Sequence, residues 1–178
     1  LKPGEPLKII WHSRVSKEKR IMPFLQALSG ITGTYHLDVY GSGNDLARAR
    51  RFAERHRLAV SFHGDTSFDK LQPAILASHL DVLASYNYDT FGMTLIEAEA
   101  CGIPVFFCDP DMYEIVPPGS FVLSADASPE KMAAALNHLL AHPEHIRQMS
   151  EAMLEARPEI LISKRIKLLE RIFANLAD

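Results

Sequence analysis

The sequence predicts an α/β fold: a doubly wound parallel sheet, Rossmann-like, with helices on both faces and further helices at the C-terminal end. Two observations predict it. Short apolar runs alternate with longer helical patterns along most of the 178 residues, which is the order of parallel strands joined by helices. After Ser128 only helical patterns follow. In such a sheet, ligands bind at the carboxyl ends of the strands.

The elements follow from the apolar periodicity in chain order. Strands are predicted over residues 8–11, 36–40, 59–63, 81–84, 105–107 and 121–123. Helices are predicted between them over residues 19–29, 46–56, 68–77 and 93–101. Ser128 can cap the next helix with Pro129 at its first position, so we expect helices over residues 129–141, 143–155 and 162–176. A break is expected at Arg157-Pro158.

Composition excludes several classes of protein. The length fits one domain with a sizeable core, and a net charge of -3 with mixed charges argues against a nucleic-acid binder. Cys101 and Cys108 are expected to be buried thiols of a reducing compartment. No long apolar run and no leader pattern is visible, so we expect a cytoplasmic protein with membrane contact only through regions outside this chain. Because it starts with Leu1, we expect part of a longer protein.

Two carboxylates flank a helix start in residues 89–102. Asp89 falls in the loop after the fourth strand, and Glu97 lies in the following helix. A sugar nucleotide presents hydroxyls on its ribose and its hexose, with a pyrophosphate between them. Carboxylates can accept the hydroxyls, while the free amides of Gly92, Met93 and Thr94 suit the anion. The structural alternative is that Asp89 caps the helix and Glu97 makes a local salt bridge.

This segment resembles the signature of retaining glycosyltransferases of the GT-B fold, particularly family 4. The family pattern pairs an acid and Phe-Gly with a later Glu-Ala, Gly and Pro-Val. The matching residues here are Phe91, Gly92, Glu97, Ala98, Gly102, Pro104 and Val105. The chain departs at Asp89, where the family usually has Glu.

A second motif follows the first strand. Residues 12–19 resemble the family's Gly-Arg-Leu, two residues, Glu-Lys-Gly segment, and Arg14 and Lys19 keep its spacing. Ser13 and Arg20 stand where the family usually has Gly. A guanidinium and an ammonium can stabilise the charge that grows on a nucleoside diphosphate leaving group. Taken alone, such cations are usually solvated surface charges.

The resemblance covers the whole chain and implies the donor-binding, C-terminal half of such an enzyme, residues 1–178, partnered by its own N-terminal acceptor domain. It implies transfer of a hexosyl group from a nucleoside diphosphate sugar, UDP favoured, with retention and without a metal ion or cofactor. Arg14 and Lys19 would hold the pyrophosphate, Glu97 the ribose hydroxyls and Asp89 the hexose hydroxyls. The acceptor, a glycan, lipid or glycoconjugate, is unspecified, and the isolated chain should transfer nothing.

Two short patterns mimic other sites. Gly41-Ser-Gly43 could be half of a dinucleotide fingerprint, but it follows the second strand, so we interpret it as the turn that starts a helix. The absence of an early glycine fingerprint also disfavours a dehydrogenase. Asp109-Pro-Asp111 mimics a metal motif of another glycosyltransferase fold. We expect it to shape the loop after the fifth strand.

Three further features carry weaker expectations. His138, His142 and His145 could converge on a metal, but we expect scattered surface imidazoles. Gly64 ends the third strand and is a weak candidate for approach to the nucleotide base. Glu114 matches a family Glu, and we expect a structural role for it. The departures at Ser13 and Asp89 keep one alternative function open, a non-catalytic GT-B-like module that serves as a binding or assembly partner.

Overall fold

The computed structural model describes residues 4–160, which form one parallel sheet flanked by helices. The sheet order is β3-β2-β1-β4-β5-β6. The strands are β1 Leu7–His12, β2 Tyr35–Tyr40, β3 Val60–Gly64, β4 Leu80–Leu83, β5 Val105–Phe107 and β6 Phe121–Leu123. The helices are α1 Ile21–Leu28, α2 Leu46–Arg55, α3 Phe68–Leu76, α4 Met93–Cys101, α5 Pro129–Ala141 and α6 Pro143–Ile160. The predicted fold class and all six strands are confirmed.

The strand order reverses between β1 and β4. From β1 the sheet grows outward through β2 to β3, and β4 then returns to the other side of β1 and continues to β6. Ile9 pairs with Leu80 and Ile10 with Asp81 across this junction. In a doubly wound sheet, the crevice at the carboxyl ends of the two strands that flank such a reversal is where ligands bind.

Alternating side chains of β1 build two separate cores, one on each face of the sheet. Trp11 packs with Phe24 and, through it, with Phe106, at ring-centroid distances of 5.9 and 6.2 Å. Ile10, the neighbour of Trp11, belongs to the opposite cluster with Phe107. Successive strand residues face opposite sides, so a fully buried strand must be apolar on both. This anchoring fixes where β1 ends and therefore where the site begins.

Two predicted helix boundaries are wrong. Helix α1 begins at Ile21 and not at residue 19, because Arg20 has a φ of +63°, a left-handed conformation that cannot continue a right-handed helix. Helix α6 continues through Pro158, where we expected a break. Buried Met149 and Met153 anchor the preceding turns, so the hydrogen bond lost at Pro158 affects only the last turn described. The predicted helix over 162–176 lies outside the described residues.

Candidate functional site

The predicted site residues meet at the carboxyl ends of β1 and β4. His12 ends β1, and the loop that follows carries Arg14 and Lys19. The loop after β4 carries Asp89 and leads into α4, which holds Glu97. The reversal of strand order places these two loops side by side, since β1 and β4 are hydrogen-bonded neighbours. Segments about 70 residues apart in the sequence therefore share one crevice.

Lys19 and Asp89 contact each other directly. Lys19 Nζ donates to Asp89 Oδ1, and Ser85 Oγ donates to the other carboxylate oxygen. The Lys19 and Asp89 side chains are only 13% and 14% exposed. Tyr88 contributes its ring, whose centroid lies 5.5 Å from the ammonium. The alternative in which Asp89 caps the helix is therefore wrong: Asp89 forms an ion pair that spans the two loops.

Helix α4 opens toward the crevice with its amide groups. Gly92 precedes the helix with a φ of +56°, which glycine adopts without steric cost, and its carbonyl accepts from Leu95 N at 2.8 Å. The amides of Met93 and Thr94 have no acceptor one turn earlier in the helix. The Thr94 hydroxyl oxygen is buried and has no hydrogen-bond partner within residues 4–160. Phe91, just before this turn, is 48% exposed.

His12 joins Glu97 to a buried acid, a connection that sequence reasoning missed. His12 Nε2 donates to Asp81 Oδ2 at 2.7 Å, and both side chains are almost completely buried. Asp81 Oδ1 accepts from the backbone N–H of Val82 at 2.7 Å. On the other side of the ring, His12 Nδ1 lies 3.2 Å from Glu97 Oε2, as an ion-pair contact and not an aligned hydrogen bond.

The charge on His12 follows from this arrangement. Burial lowers the pKa of His12, but the charges of Asp81 and Glu97 and the hydrogen bond with Asp81 outweigh burial and raise the pKa to about 10. His12 is therefore an imidazolium at neutral pH. The Glu97 side chain is 30% exposed. Its carboxylate therefore contacts the buried His12 imidazolium and also reaches the crevice.

A cavity of about 260 Å³ adjoins His12 at the ends of the first three strands. Its lining includes Ser13, Arg14, Tyr40, Gly41, Ser42, Asp65, Thr66 and Leu71. The Arg14 side chain is exposed. Gly64 has a φ of +74° and open space where a side chain would be, but its neighbour Asp65, and not Gly64, lines the cavity. The role of Gly64 thus stays a prediction.

The glycines after β2 do more than start a helix. A Cβ at Gly41 would lie 2.3 Å from Ser13 O, and a Cβ at Gly43 would lie 2.3 Å from Val15 O. Val15 N also donates to Ser42 O at 2.8 Å. The two glycines therefore let the loop after β2 pack backbone to backbone against the loop after β1. We interpreted them only as a turn, and this positioning of the cationic loop was missed.

The acidic pattern after β5 shapes a loop, as expected. Asp109 Oδ2 accepts from Asn87 N at 2.7 Å, and Asp109 Oδ1 accepts from Asp111 N at 3.1 Å. Asp109 is only 3% exposed, and it ties the loops after β4 and β5 together. Glu114 ends the short 3-10 helix Pro110–Glu114 and is exposed. Within the described chain no bond of its carboxylate supports the structural role that we expected.

The three late histidines are not scattered. Their ring centroids lie 4.7 Å (His138 to His142), 5.5 Å (His138 to His145) and 5.2 Å (His142 to His145) apart. The expectation of separate surface imidazoles is wrong because α6 begins immediately after His142 and folds His145 back onto α5. Among residues 4–160, no group of three or more histidines, cysteines or acids is arranged to hold a metal ion.

The two cysteines differ in burial. Cys108 is buried and Cys101 is half-buried, and both are free thiols. Burial raises the pKa of Cys108 to about 12 and raises that of Cys101 as well. The described part of the chain contains no helix long and apolar enough to span a bilayer.

Comparison with known proteins identifies the family. The sequence profile described as "Glycosyl transferases group 1" matches residues 1–155. This chain belongs to that family. A Streptococcus pneumoniae alpha-galactosylglucosyldiacylglycerol synthase is 30% identical over 90 residues, which is 51% of this chain and 23% of that protein. The chain thus spans less than a quarter of this curated relative.

Solved structures of glycosyltransferases share the fold. Anabaena HepE in complex with UDP-glucose has a TM-score of 0.80 and 18% identity, covering 95% of this chain and 49% of HepE. The catalytic domain of a Helicobacter pylori cholesterol-alpha-glucosyltransferase has a TM-score of 0.77 and 17% identity, covering 88% of this chain and all of that one. At such identities the likeness establishes the fold alone. The resemblance to GT-B glycosyltransferases is confirmed at the level of family and fold.

Proposed function

We propose that this glycosyl transferases group 1 chain is the donor-binding half of a retaining glycosyltransferase that takes a UDP-sugar. One observation carries the proposal: at the reversal point of the sheet, the Lys19–Asp89 ion pair and the His12–Glu97 contact join the loop after β1, which also carries Arg14, to the loop and helix that follow β4. Each group matches one part of a nucleoside diphosphate hexose. The neighbouring cavity of about 260 Å³ suits the nucleoside.

The pyrophosphate has the most specific set of partners. The amides of Met93 and Thr94 carry the positive end of the α4 dipole, and Lys19 and Arg14 bring full charges. The buried Thr94 hydroxyl, without a protein partner in the described residues, supplies one more donor for a phosphate oxygen. These groups would stabilise the leaving nucleoside diphosphate as its charge grows, so no metal ion is required in this proposal.

The two acids, Glu97 and Asp89, would bind different sugars of the donor, the ribose and the hexose. Glu97 lies beside the cavity through His12 and would accept the ribose hydroxyls. Asp89 lies in the loop before α4 and would accept hydroxyls of the hexose. Its pairing with Lys19 means that the ammonium must be shared with, or released to, the arriving pyrophosphate. The acceptor, the retention of configuration and the partnership with an N-terminal domain belong to this proposal through the family resemblance.

The same ion pair favours the second candidate, a non-catalytic binding or assembly module. In that case Lys19 and Asp89 would simply hold the two loops closed, and no donor would compete for either charge. The two functions differ in whether a diphosphate enters the crevice.

Calorimetry with this chain tests the proposal. UDP should bind measurably, uridine should bind much more weakly, and UDP-glucose should release heat through further contacts. The chain alone should transfer no sugar to added acceptors, since its motifs all concern the donor. Failure of UDP to bind at millimolar concentration would favour the assembly module, and sugar transfer by the isolated chain would refute the assignment as a donor half.

A further inference from the structure

The proposed function assigns roles to the cations and acids of the site but gives no role to His12. It is a charged, almost completely buried side chain at the end of β1, with only 1% of the side chain exposed. A buried imidazolium is costly unless it is paired. Here it has two partners on two different elements, Asp81 on β4 and Glu97 on α4.

The two contacts are not equivalent. Asp81 is completely buried, and its second oxygen accepts from the backbone N–H of Val82, so both carboxylate oxygens are held by hydrogen bonds. His12 is thereby fixed in place from behind by a 2.7 Å hydrogen bond. Glu97, in contrast, reaches the crevice, and only its Oε2 contacts the ring. The buried Asp81–His12 pair therefore orients the partly exposed Glu97 carboxylate.

We propose that His12 is a positioning residue for Glu97: the Asp81–His12 pair holds one Glu97 oxygen, so that the carboxylate presents its other lone pairs to the two ribose hydroxyls of a nucleotide. This inference rests on the proposed function, because it needs Glu97 to be the ribose acceptor. No other bond of the Glu97 carboxylate is described within residues 4–160, so its orientation depends on His12.

The charge of His12 serves the same end. Without it, Asp81 and Glu97 would be two neighbouring carboxylates with no cation between them, and their repulsion would turn the Glu97 carboxylate away from the orientation that the ribose hydroxyls need. Cys101, one turn along α4 from Glu97, lies near both acids, and burial raises the pKa of its thiol, which keeps it neutral. Helix α4 also carries Glu99, which is completely buried. With the imidazolium present, the trio of His12, Asp81 and Glu97 carries a single net negative charge.

The test compares two ligands that differ only at the ribose. UDP and 2′,3′-dideoxy-UDP are titrated into the wild-type chain and into His12→Asn, Glu97→Gln and the double variant. His12→Asn should lower UDP affinity about tenfold, the loss of roughly one charge-assisted hydrogen bond, and leave dideoxy-UDP unchanged. In the double variant the loss should equal that of Glu97→Gln alone, because the two residues act through one contact.

A matched control separates positioning from general damage. His79→Asn removes a histidine just before β4, at the amino ends of the strands and therefore at the end of the sheet away from His12. There its Nδ1 accepts from Lys8 N at 3.1 Å. This variant should bind both ligands as the wild type does. A merely structural role of His12 would weaken both ligands equally, and that result would overturn the inference.

The outcomes distinguish this inference from the proposed function. If the wild-type chain binds both ligands equally, Glu97 is not the ribose acceptor and the inference about His12 fails, while the binding of UDP still supports the proposed donor site. If Glu97→Gln loses the preference for UDP but His12→Asn keeps it, the function stands and the role of His12 falls. If His12→Asn does not fold, the imidazole nitrogen resonances of His12 in the wild-type chain provide a second test. They should shift when UDP is added and not when dideoxy-UDP is added. Resonances that do not move with UDP would refute the inference.

Discussion

The buried imidazolium makes the stability of this domain depend steeply on alkaline pH. The pKa of His12 is raised from 6.5 to about 10, the net result of burial, which lowers it, and of Asp81 and Glu97, which raise it further. The folded state therefore binds the proton more tightly than the unfolded chain. Its stabilising effect is complete below pH 6.5 and is lost as pH rises through 10.

The magnitude follows from these two pKa values. Each tenfold change in proton affinity is worth about 1.4 kcal/mol, so the whole effect is about 5 kcal/mol. Between roughly pH 7.5 and 9 the unfolded state lacks the proton and the folded state keeps it, so stability should fall by about 1.4 kcal/mol per pH unit. That loss is large beside a typical domain stability of about 5 to 15 kcal/mol.

The assay is urea unfolding at a series of pH values. Trp11, the only tryptophan of the chain, is 1% exposed and reports unfolding by fluorescence, with circular dichroism as the second probe. His12→Asn removes the titrating group, so the stability difference between wild type and variant should shrink as pH rises. A difference that stays constant within about 0.5 kcal/mol from pH 7 to 10 would refute the reasoning.

Three further perturbations have defined outcomes. Arg14→Ala should weaken UDP binding by ~1.5 to 3 kcal/mol, measured by calorimetry, and leave uridine binding unchanged; equal losses would contradict a pyrophosphate role. Asp89→Ala should free Lys19, so UDP affinity should hold or rise while UDP-glucose loses its extra affinity; unchanged affinity for both ligands would exclude contact with the hexose. In Gly41→Ala the new Cβ would lie 2.3 Å from a backbone oxygen, so the free energy of unfolding in urea should fall by more than ~2 kcal/mol. In Gly64→Ala the new Cβ would lie in open space, so the free energy of unfolding should fall by only ~1 to 2 kcal/mol. Equal losses in the two variants would contradict the close approach of the loops.

The sequence predicts the sheet well because each strand is buried on both faces. A continuous apolar run such as β1 has few alternatives, and the alternation of strands with helices then requires parallel pairing. The start of α1 was misjudged for a local reason. Nothing in the periodicity reveals that Arg20 takes a left-handed conformation, which its side chain supports by donating to Ala127 O.

The contacts within the site depend on the fold and not on local pattern. The Lys19–Asp89 and His12–Asp81 pairs join residues 70 and 69 positions apart. Motif resemblance named two members of these pairs, Lys19 and Asp89, as site residues, yet it assigned them to separate parts of the donor, and it gave no reason to notice His12 or Asp81. A histidine at the end of a buried strand, followed later by an acid inside another, is the signal that could have found the trio.

The histidine cluster had a readable signal as well. His138 lies in the last turn of α5, and His142, four residues later, is the C-cap of that helix, so the two rings are near each other. The predicted helix over residues 143–155 starts at Pro143, and proline is favoured in the first turn of a helix. Here it starts α6 and brings the third ring back to the other two.

We propose that a nucleoside diphosphate binds at the carboxyl ends of β1 and β4. Backbone amide resonances followed by NMR during a UDP titration test this most directly. The account predicts saturable shifts concentrated at Arg14, Lys19, Glu97 and the segment Gly92–Thr94. Shifts confined to the exposed arginines of α2 would indicate nonspecific anion binding, and either that pattern or no shifts at millimolar UDP would contradict the claim.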